Sequence, residues 1–94
     1  MSDTQEISKA YRVHGRVQGV GFRYWAQIQG RRLGLRGSVR NCADGTVEVN
    51  FAGLPAAVDE MSQQLLHGPS GAHVEELEEV PPPARLPEDF RIAF

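Results

Sequence analysis

The sequence GRVQGVGFR, residues 15–23, lies where the hydrophobic pattern of the chain changes its period. Upstream, from Ile7 to Val17, apolar and polar residues alternate, which predicts a strand with one buried face. Downstream, from Phe22 to Leu33, apolar residues recur at helical spacing, and Gly34 is a natural C-cap for a helix. The stretch is therefore a glycine-rich turn that joins a strand to a helix, and the rest of the fold follows from it.

This turn has the composition of an anion-binding loop. Its glycines allow several backbone N–H groups to converge, and the dipole of the following helix adds positive potential there. Arg23 in the first turn is slightly unfavourable for the helix, a cost that an anion bound between Arg23 and the loop amides offsets. A flexible turn with a solvated arginine is the alternative. Because the Gly-Lys-Ser/Thr of a P-loop is absent, and Tyr24 stands where a dinucleotide fingerprint has its third glycine, we expect a small phosphate-sized ligand.

The middle of the chain predicts a hairpin and a second helix. Residues 36–42 and 46–51 have strand patterns, and Asp44-Gly45 between them is a strong turn signal because Gly accepts positive φ. A helix opens at Leu54-Pro55, with Pro in the first turn, and stops at Gly68-Pro69.

The last part of the chain is less regular. Val74, Leu77 and Val80 are spaced by three, which predicts a bulged strand over residues 73–80, with a short helix as the alternative. Phe90, Ile92 and Phe94 alternate to the last residue, so we expect this end of the chain to lie in the sheet.

The element order is β-α-β-β-α-β with a short final strand. It predicts a ferredoxin-like α/β sandwich of the α+β class, an antiparallel sheet with two helices on one face. We expect residues 1–6 to be a flexible N-terminal start and residues 7–94 to form a single domain, as suits 94 residues. The RNA-binding RRM shares this order, so the fold does not decide the function.

Composition excludes several classes of protein. No apolar run reaches the length of a membrane span, and the polar N-terminus lacks a signal-peptide core, so a cytoplasmic protein is expected. Cys42 is the only cysteine, and no Cys/His cluster has zinc-ligand spacing. The formal net charge of −2 conceals a split between a basic segment, residues 1–41, and an acidic one, residues 42–94. An arginine-rich half suggests an anionic ligand.

Asn41 is the second candidate for a functional residue. It stands at the end of a predicted strand, before the Asp-Gly turn. An Asn there often stabilises the turn through a bond from its side chain to the backbone. The alternative is that its amide, which both donates and accepts, reaches a water molecule or a substrate oxygen.

The spacing of three motifs resembles acylphosphatase. They are residues 15–23, then Leu33-Gly34-Leu35 with Gly37 and Val39-Arg40-Asn41, then Asp44-Gly45 with Val47-Glu48. The resemblance is dense over residues 11–53 and continues more loosely through the last strand. It implies hydrolysis of the carboxyl-phosphate anhydride of acyl phosphates to a carboxylate and inorganic phosphate, without metal, cofactor or covalent intermediate.

The resemblance also assigns roles to residues. It implies a phosphate-binding arginine at Arg23, a water-orienting asparagine at Asn41 and a phosphate-binding loop that comprises Arg16, Val17, Gln18, Gly19, Val20 and Gly21. The implied partners are a small acyl phosphate as substrate and inorganic phosphate as product and inhibitor, for a monomer that binds no nucleic acid and no membrane. The remaining arginines of the basic segment are expected to be surface charge: Arg12, Arg31, Arg32, Arg36 and Arg40.

Two departures and two alternatives accompany this resemblance. The family commonly has an aromatic residue where this chain has Ser38 and an alanine where it has Gly30. Ser38 is close enough to Asn41 in sequence to loosen the placement of its side chain.

A non-catalytic phosphate-binding module, or an acylphosphatase-like domain serving a carbamoyl-phosphate pathway, is one alternative function. Because the chain begins at Met1 and ends soon after its last strand, we do not expect a fusion fragment. An RRM-type RNA binder is the other alternative, which outward-facing Glu48 and Asn50 disfavour.

Overall fold

A computed structural model describes residues 5–94, and its elements follow the predicted order. The first four residues of the predicted flexible start, residues 1–6, lie outside the described part. Residues 73–80 form a strand, so the alternative of a short helix there is wrong. The elements are β1 (Ile7–Arg16), α1 (Phe22–Arg32), β2 (Arg36–Asn41), β3 (Val47–Gly53), α2 (Pro55–Leu65), β4 (His73–Val80) and β5 (Phe90–Ile92).

The five strands form one sheet in the order β4-β1-β3-β2-β5. The first three pairings in this order are antiparallel, as predicted, whereas β5 pairs with β2 in parallel. The chain leaves β4 at one edge and enters β5 at the other, running in the opposite direction, which is the direction of β2. The sheet is therefore mixed, with a parallel pair at one edge that the prediction of an antiparallel sheet did not include.

Both helices cover the same face of the sheet, α1 over β2 and β5 and α2 over β1 and β3. The core between them contains aliphatic side chains together with Met61, Tyr11 and three buried phenylalanines, Phe22, Phe51 and Phe90. Gly30 of α1 lies against the ring of Phe90, and a Cβ at this position would overlap that ring. The glycine that weakens the helix in isolation therefore allows α1 to approach β5.

Strand β4 contains the predicted bulge. Its register with β1 shifts between His14 and Gly15, which leaves Glu75 without a partner residue. An extra residue reverses the alternation of side chains. Val74 and Leu77 therefore both pack against the core although they are three residues apart.

The face of the sheet away from the helices, here called the outer face, carries charged and small polar residues. Arg12, Glu48 and Arg40 are neighbours across β1, β3 and β2. Asn50 also lies on this face, as predicted, but it is only 8% exposed and donates a hydrogen bond to Ser38 Oγ at 3.4 Å. Among residues 5–94, no helix has the length and apolarity needed to cross a membrane.

Candidate active site

The loop between β1 and α1 takes its shape from glycines. Gly19 and Gly21 have φ of +75° and +79°, in the left-handed region that favours glycine, and a Cβ at either position would meet open space. Glycine is thus required here by the backbone conformation and not by crowding. Gly21 precedes α1, which has no side-chain cap and no acidic residue in its first turn. The first amides of the helix therefore remain available as donors.

Arg23 extends from this first turn into a cleft of about 210 Å³. Within the described residues its guanidinium forms no ion pair and no hydrogen bond. The guanidinium instead contacts an aromatic ring. Its Cζ atom lies 5.4 Å from the centre of the Phe94 ring, which is a cation–π distance. The positive charge of Arg23 is therefore not neutralised by a neighbouring carboxylate.

Asn41 ends β2 and lines the same cleft. The Asn41 side chain does not stabilise the turn between β2 and β3 by hydrogen bonding to its backbone. The Asp44 side chain forms the bonds within that turn. The carboxylate Oδ1 of Asp44 accepts hydrogen bonds from the backbone N–H of Thr46 at 3.0 Å and from its hydroxyl at 2.6 Å. These bonds, the hydroxyl's first, lower the pKa of Asp44 from its ordinary value. The Asn41 amide forms no hydrogen bond in the described part of the chain.

Gln18 joins the loop to the strand end that carries Asn41. Its side-chain amide donates to the carbonyl of Cys42 at 2.8 Å and to that of Thr46 at 2.9 Å. Both carbonyls belong to the turn between β2 and β3. One side chain thus ties the glycine loop to the position next to Asn41. Sequence analysis placed Gln18 in the loop but could not identify this tie, since no spacing relates residue 18 to residues 42 and 46.

The cleft brings most of the predicted site together. Of the predicted residues, Val17, Gly19, Gly21, Arg23 and Asn41 line it, whereas Arg16, Gln18 and Val20 do not. The lining residues that sequence analysis missed are Phe22, Tyr24, Ile92 and Phe94. The alternation of Phe90, Ile92 and Phe94 was the available signal, but it was interpreted as a strand. That prediction is wrong for the last two residues, because β5 ends at Ile92 and Phe94 is exposed.

Other polar groups lie outside this cleft. His14 Nε2 is 2.8 Å from Glu78 Oε1, between β1 and β4. Ser38 lies three residues before Asn41 on β2, and side chains three apart on a strand point to opposite faces of the sheet. The Ser38 side chain therefore lies on the outer face, away from that of Asn41. No group of three His, Cys, Asp or Glu residues that could hold a metal ion occurs in residues 5–94.

Known proteins share this fold and sequence. A family model described as Acylphosphatase matches residues 9–92. An acylphosphatase of Rhizobium etli is 47% identical over 93 residues, covering 98% of this chain and 98% of the relative. The acylphosphatase structure from Bacillus subtilis has a TM-score of 0.87 and 28% identity, over 96% of this chain and 100% of that one. An acylphosphatase structure from Coxiella burnetii has a TM-score of 0.85 and 30% identity, over 99% and 100% respectively.

Proposed function

This chain belongs to the acylphosphatase family, and we propose that Arg23, Asn41 and the loop amides of residues 16–21 carry out its reaction. The protein is a hydrolase that acts on acyl phosphates. The proposal concerns which residues hold the phosphate, which holds the water, and where the proton goes. The observation that supports it best is that Arg23 and Asn41 face one cleft, each without a hydrogen bond to the described residues.

The phosphate group binds between the loop and Arg23. Its oxygens accept hydrogen bonds from backbone N–H groups of the loop, residues 16–21, of which Val17, Gly19 and Gly21 line the cleft. The guanidinium of Arg23 has the planar fork that binds two phosphate oxygens at once. Since the amides are fixed by the fold, they stabilise charge on the equatorial oxygens without reorganising during the reaction.

Asn41 orients the attacking water. Its amide accepts a hydrogen bond from the water and holds the water oxygen in line with the bond to be broken. The water oxygen forms a bond to phosphorus, and the bond from phosphorus to the acyl oxygen breaks. The carboxylate leaves with the electron pair of that bond. The water proton passes to a phosphate oxygen of the substrate, so the products are a carboxylate and protonated inorganic phosphate.

This reaction demands little chemistry from side chains. A carboxylate is a good leaving group, so the enzyme mainly positions the reactants and stabilises charge on the phosphate. No general base is required, because a phosphate oxygen of the substrate accepts the water proton. The proposed reaction requires no metal either. We further propose a cytoplasmic monomer that is inhibited by its phosphate product and binds no nucleic acid.

Phosphate release from benzoyl phosphate, measured with EDTA present, tests the proposal. The expected results are hydrolysis that EDTA does not reduce and competitive inhibition by inorganic phosphate. Inorganic phosphate should also raise the melting temperature, since a ligand that binds only the folded state stabilises it. An inactive protein that phosphate still stabilises would instead be a phosphate-binding module. Activity that millimolar phosphate leaves unchanged would contradict the phosphate-binding loop.

A further inference from the structure

The lining of the cleft combines two kinds of group. Loop backbone and the Arg23 guanidinium belong to the first kind, as described above. Ile92, Phe94 and Tyr24 belong to the second kind, which is aliphatic or aromatic. The ring of Phe94 lies over the guanidinium, so the two kinds of group meet at this cation–π contact. The proposed phosphate chemistry uses only the first kind.

Phe94 is not part of the hydrophobic core. Phe94 as a whole residue is exposed, whereas Phe90 of the same segment is fully buried against α1. Tyr24 is 64% exposed. An exposed aromatic ring gains free energy when an apolar group covers it. Phe94 and Tyr24 therefore give the cleft an apolar surface that the fold itself leaves uncovered.

The charges that line the cleft limit which chemical groups can bind against this apolar surface. No acidic side chain lines it among residues 5–94, and Arg23 is its only cationic lining residue there. Once Arg23 holds the phosphate, no further cation on the lining is available for a second anionic group. An acyl group that carries a negative charge would lie against aromatic and aliphatic carbon and lose hydration without compensation.

We propose that Phe94 is a specificity-determining residue that binds the acyl half of the substrate. Resting on the proposed function, this inference adds the substrate class: acyl phosphates whose acyl group is neutral and apolar, above all aromatic. With the phosphate between the loop and Arg23, the acyl group lies against Phe94 beside Ile92. Its contact with the ring strengthens binding of substrate and transition state alike, and raises kcat/KM for large apolar acyl groups.

The test compares kcat/KM for benzoyl phosphate and acetyl phosphate in the wild type, Phe94→Ala and Phe94→Leu. The ratio of the two values should fall about three- to tenfold in Phe94→Ala, the range that one aromatic contact provides. Phe94→Leu should restore part of it. Leu66→Ala is the matched control, because it removes an exposed apolar side chain outside the cleft and should leave the ratio unchanged.

The inhibition constant of inorganic phosphate separates specificity from positioning of Arg23. If Phe94 binds the acyl group, this constant stays the same in Phe94→Ala. An equal loss for both substrates with weaker phosphate inhibition would show that the ring only positions Arg23, and would overturn the inference. So would an unchanged ratio in an active variant. A wild type that hydrolyses neither substrate would instead overturn the proposed function.

Discussion

The cleft and the outer face of the sheet both carry arginines, in opposite electrostatic settings. On the outer face, Arg40 Nε lies 2.9 Å from Glu48 Oε1, and Arg12 lies 3.8 Å from the same carboxylate. The hydrogen bond that Arg40 donates to Glu48, and then the negative charge of Glu48, raise the pKa of Arg40. In the cleft, the Arg23 guanidinium has the Phe94 ring for a neighbour and forms no ion pair with residues 5–94. Of these three arginines, Arg23 is thus the one whose charge is not paired within the part of the chain that the structure describes.

The charge split of the sequence is only partly offset by ion pairs. Strand pairing brings Arg12 and Arg40 of the basic segment beside Glu48 of the acidic segment, and Arg12 also lies 3.9 Å from Asp44. Arg36 pairs instead with Glu6, a carboxylate of the basic segment itself, at 3.2 Å. An excess of arginine in a sequence thus does not by itself locate an anion site, since Arg31 and Arg32 also form no ion pair within residues 5–94 although neither lines the cleft. Four predictions test this division between the two regions.

Replacing the arginine of the cleft should have the largest effect. Arg23→Ala removes the positive charge and the bidentate phosphate contact that we propose for it, so kcat/KM for benzoyl phosphate should fall about 10³-fold or more. The matched variant Arg40→Ala removes an exposed ion pair and should keep kcat/KM within about threefold of the wild type. Steady-state kinetics on both variants, with circular dichroism for the fold, decides the point. Equal losses in the two variants would contradict the contrast between the regions.

The two asparagines should separate activity from stability. Asn41→Ala removes the residue that we propose orients the water, so kcat should fall about 10²- to 10³-fold, as for other groups that position a reactant or stabilise the transition state. Its free energy of unfolding should stay within about 0.5 kcal/mol of the wild type, since the side chain forms no hydrogen bond in residues 5–94.

The control is Asn50→Ala, which removes the buried amide beside Ser38 on the outer face. This variant should keep its kcat and lose about 1 kcal/mol of stability. Kinetics together with urea unfolding measures both quantities. If Asn41→Ala were the less stable protein and retained its activity, Asn41 would be a turn residue after all.

Gln18 should have an intermediate effect, because its side chain positions the site without touching the substrate. Gln18→Ala breaks both bonds to the turn after Asn41, so kcat should fall about 10- to 100-fold, the scale of a small misplacement. Gln18→Glu keeps the length but loses the donors, and should behave like Ala. Gln64→Ala, which removes an exposed bond within α2, should leave kcat unchanged. Full activity in Gln18→Ala would show that the loop and the turn hold their positions independently.

Much of this contrast could be predicted from sequence. Hydrophobic periodicity predicted each helix and strand, because each buries one face, and the motif spacing gave Arg23 and Asn41 as candidates. The direction of β5 and the exposure of Phe94 could not be predicted, since both depend on how residues 81–89 cross from one sheet edge to the other. The bonds of Gln18 depend on a contact between segments that are distant in sequence. Local patterns carry no information about such contacts.

The smallest effect, a change in stability with pH, is expected from replacing Asp44. Its side chain forms hydrogen bonds within the turn between β2 and β3. Its pKa is lowered, first by the Thr46 hydroxyl and then by the Thr46 N–H, so the folded state favours the charged form. The resulting stability is present above the unfolded pKa of about 3.9 and is lost as the pH falls through the lower folded value. Thermal unfolding should therefore show Asp44→Ala less stable than the wild type at pH 7, with the difference narrowing below about pH 4. Asp59→Ala, which changes an exposed carboxylate of α2, is the control and should show no such narrowing. A difference that stayed constant down to pH 2 would mean that the turn depends on the shape of the Asp44 side chain and not on its charge.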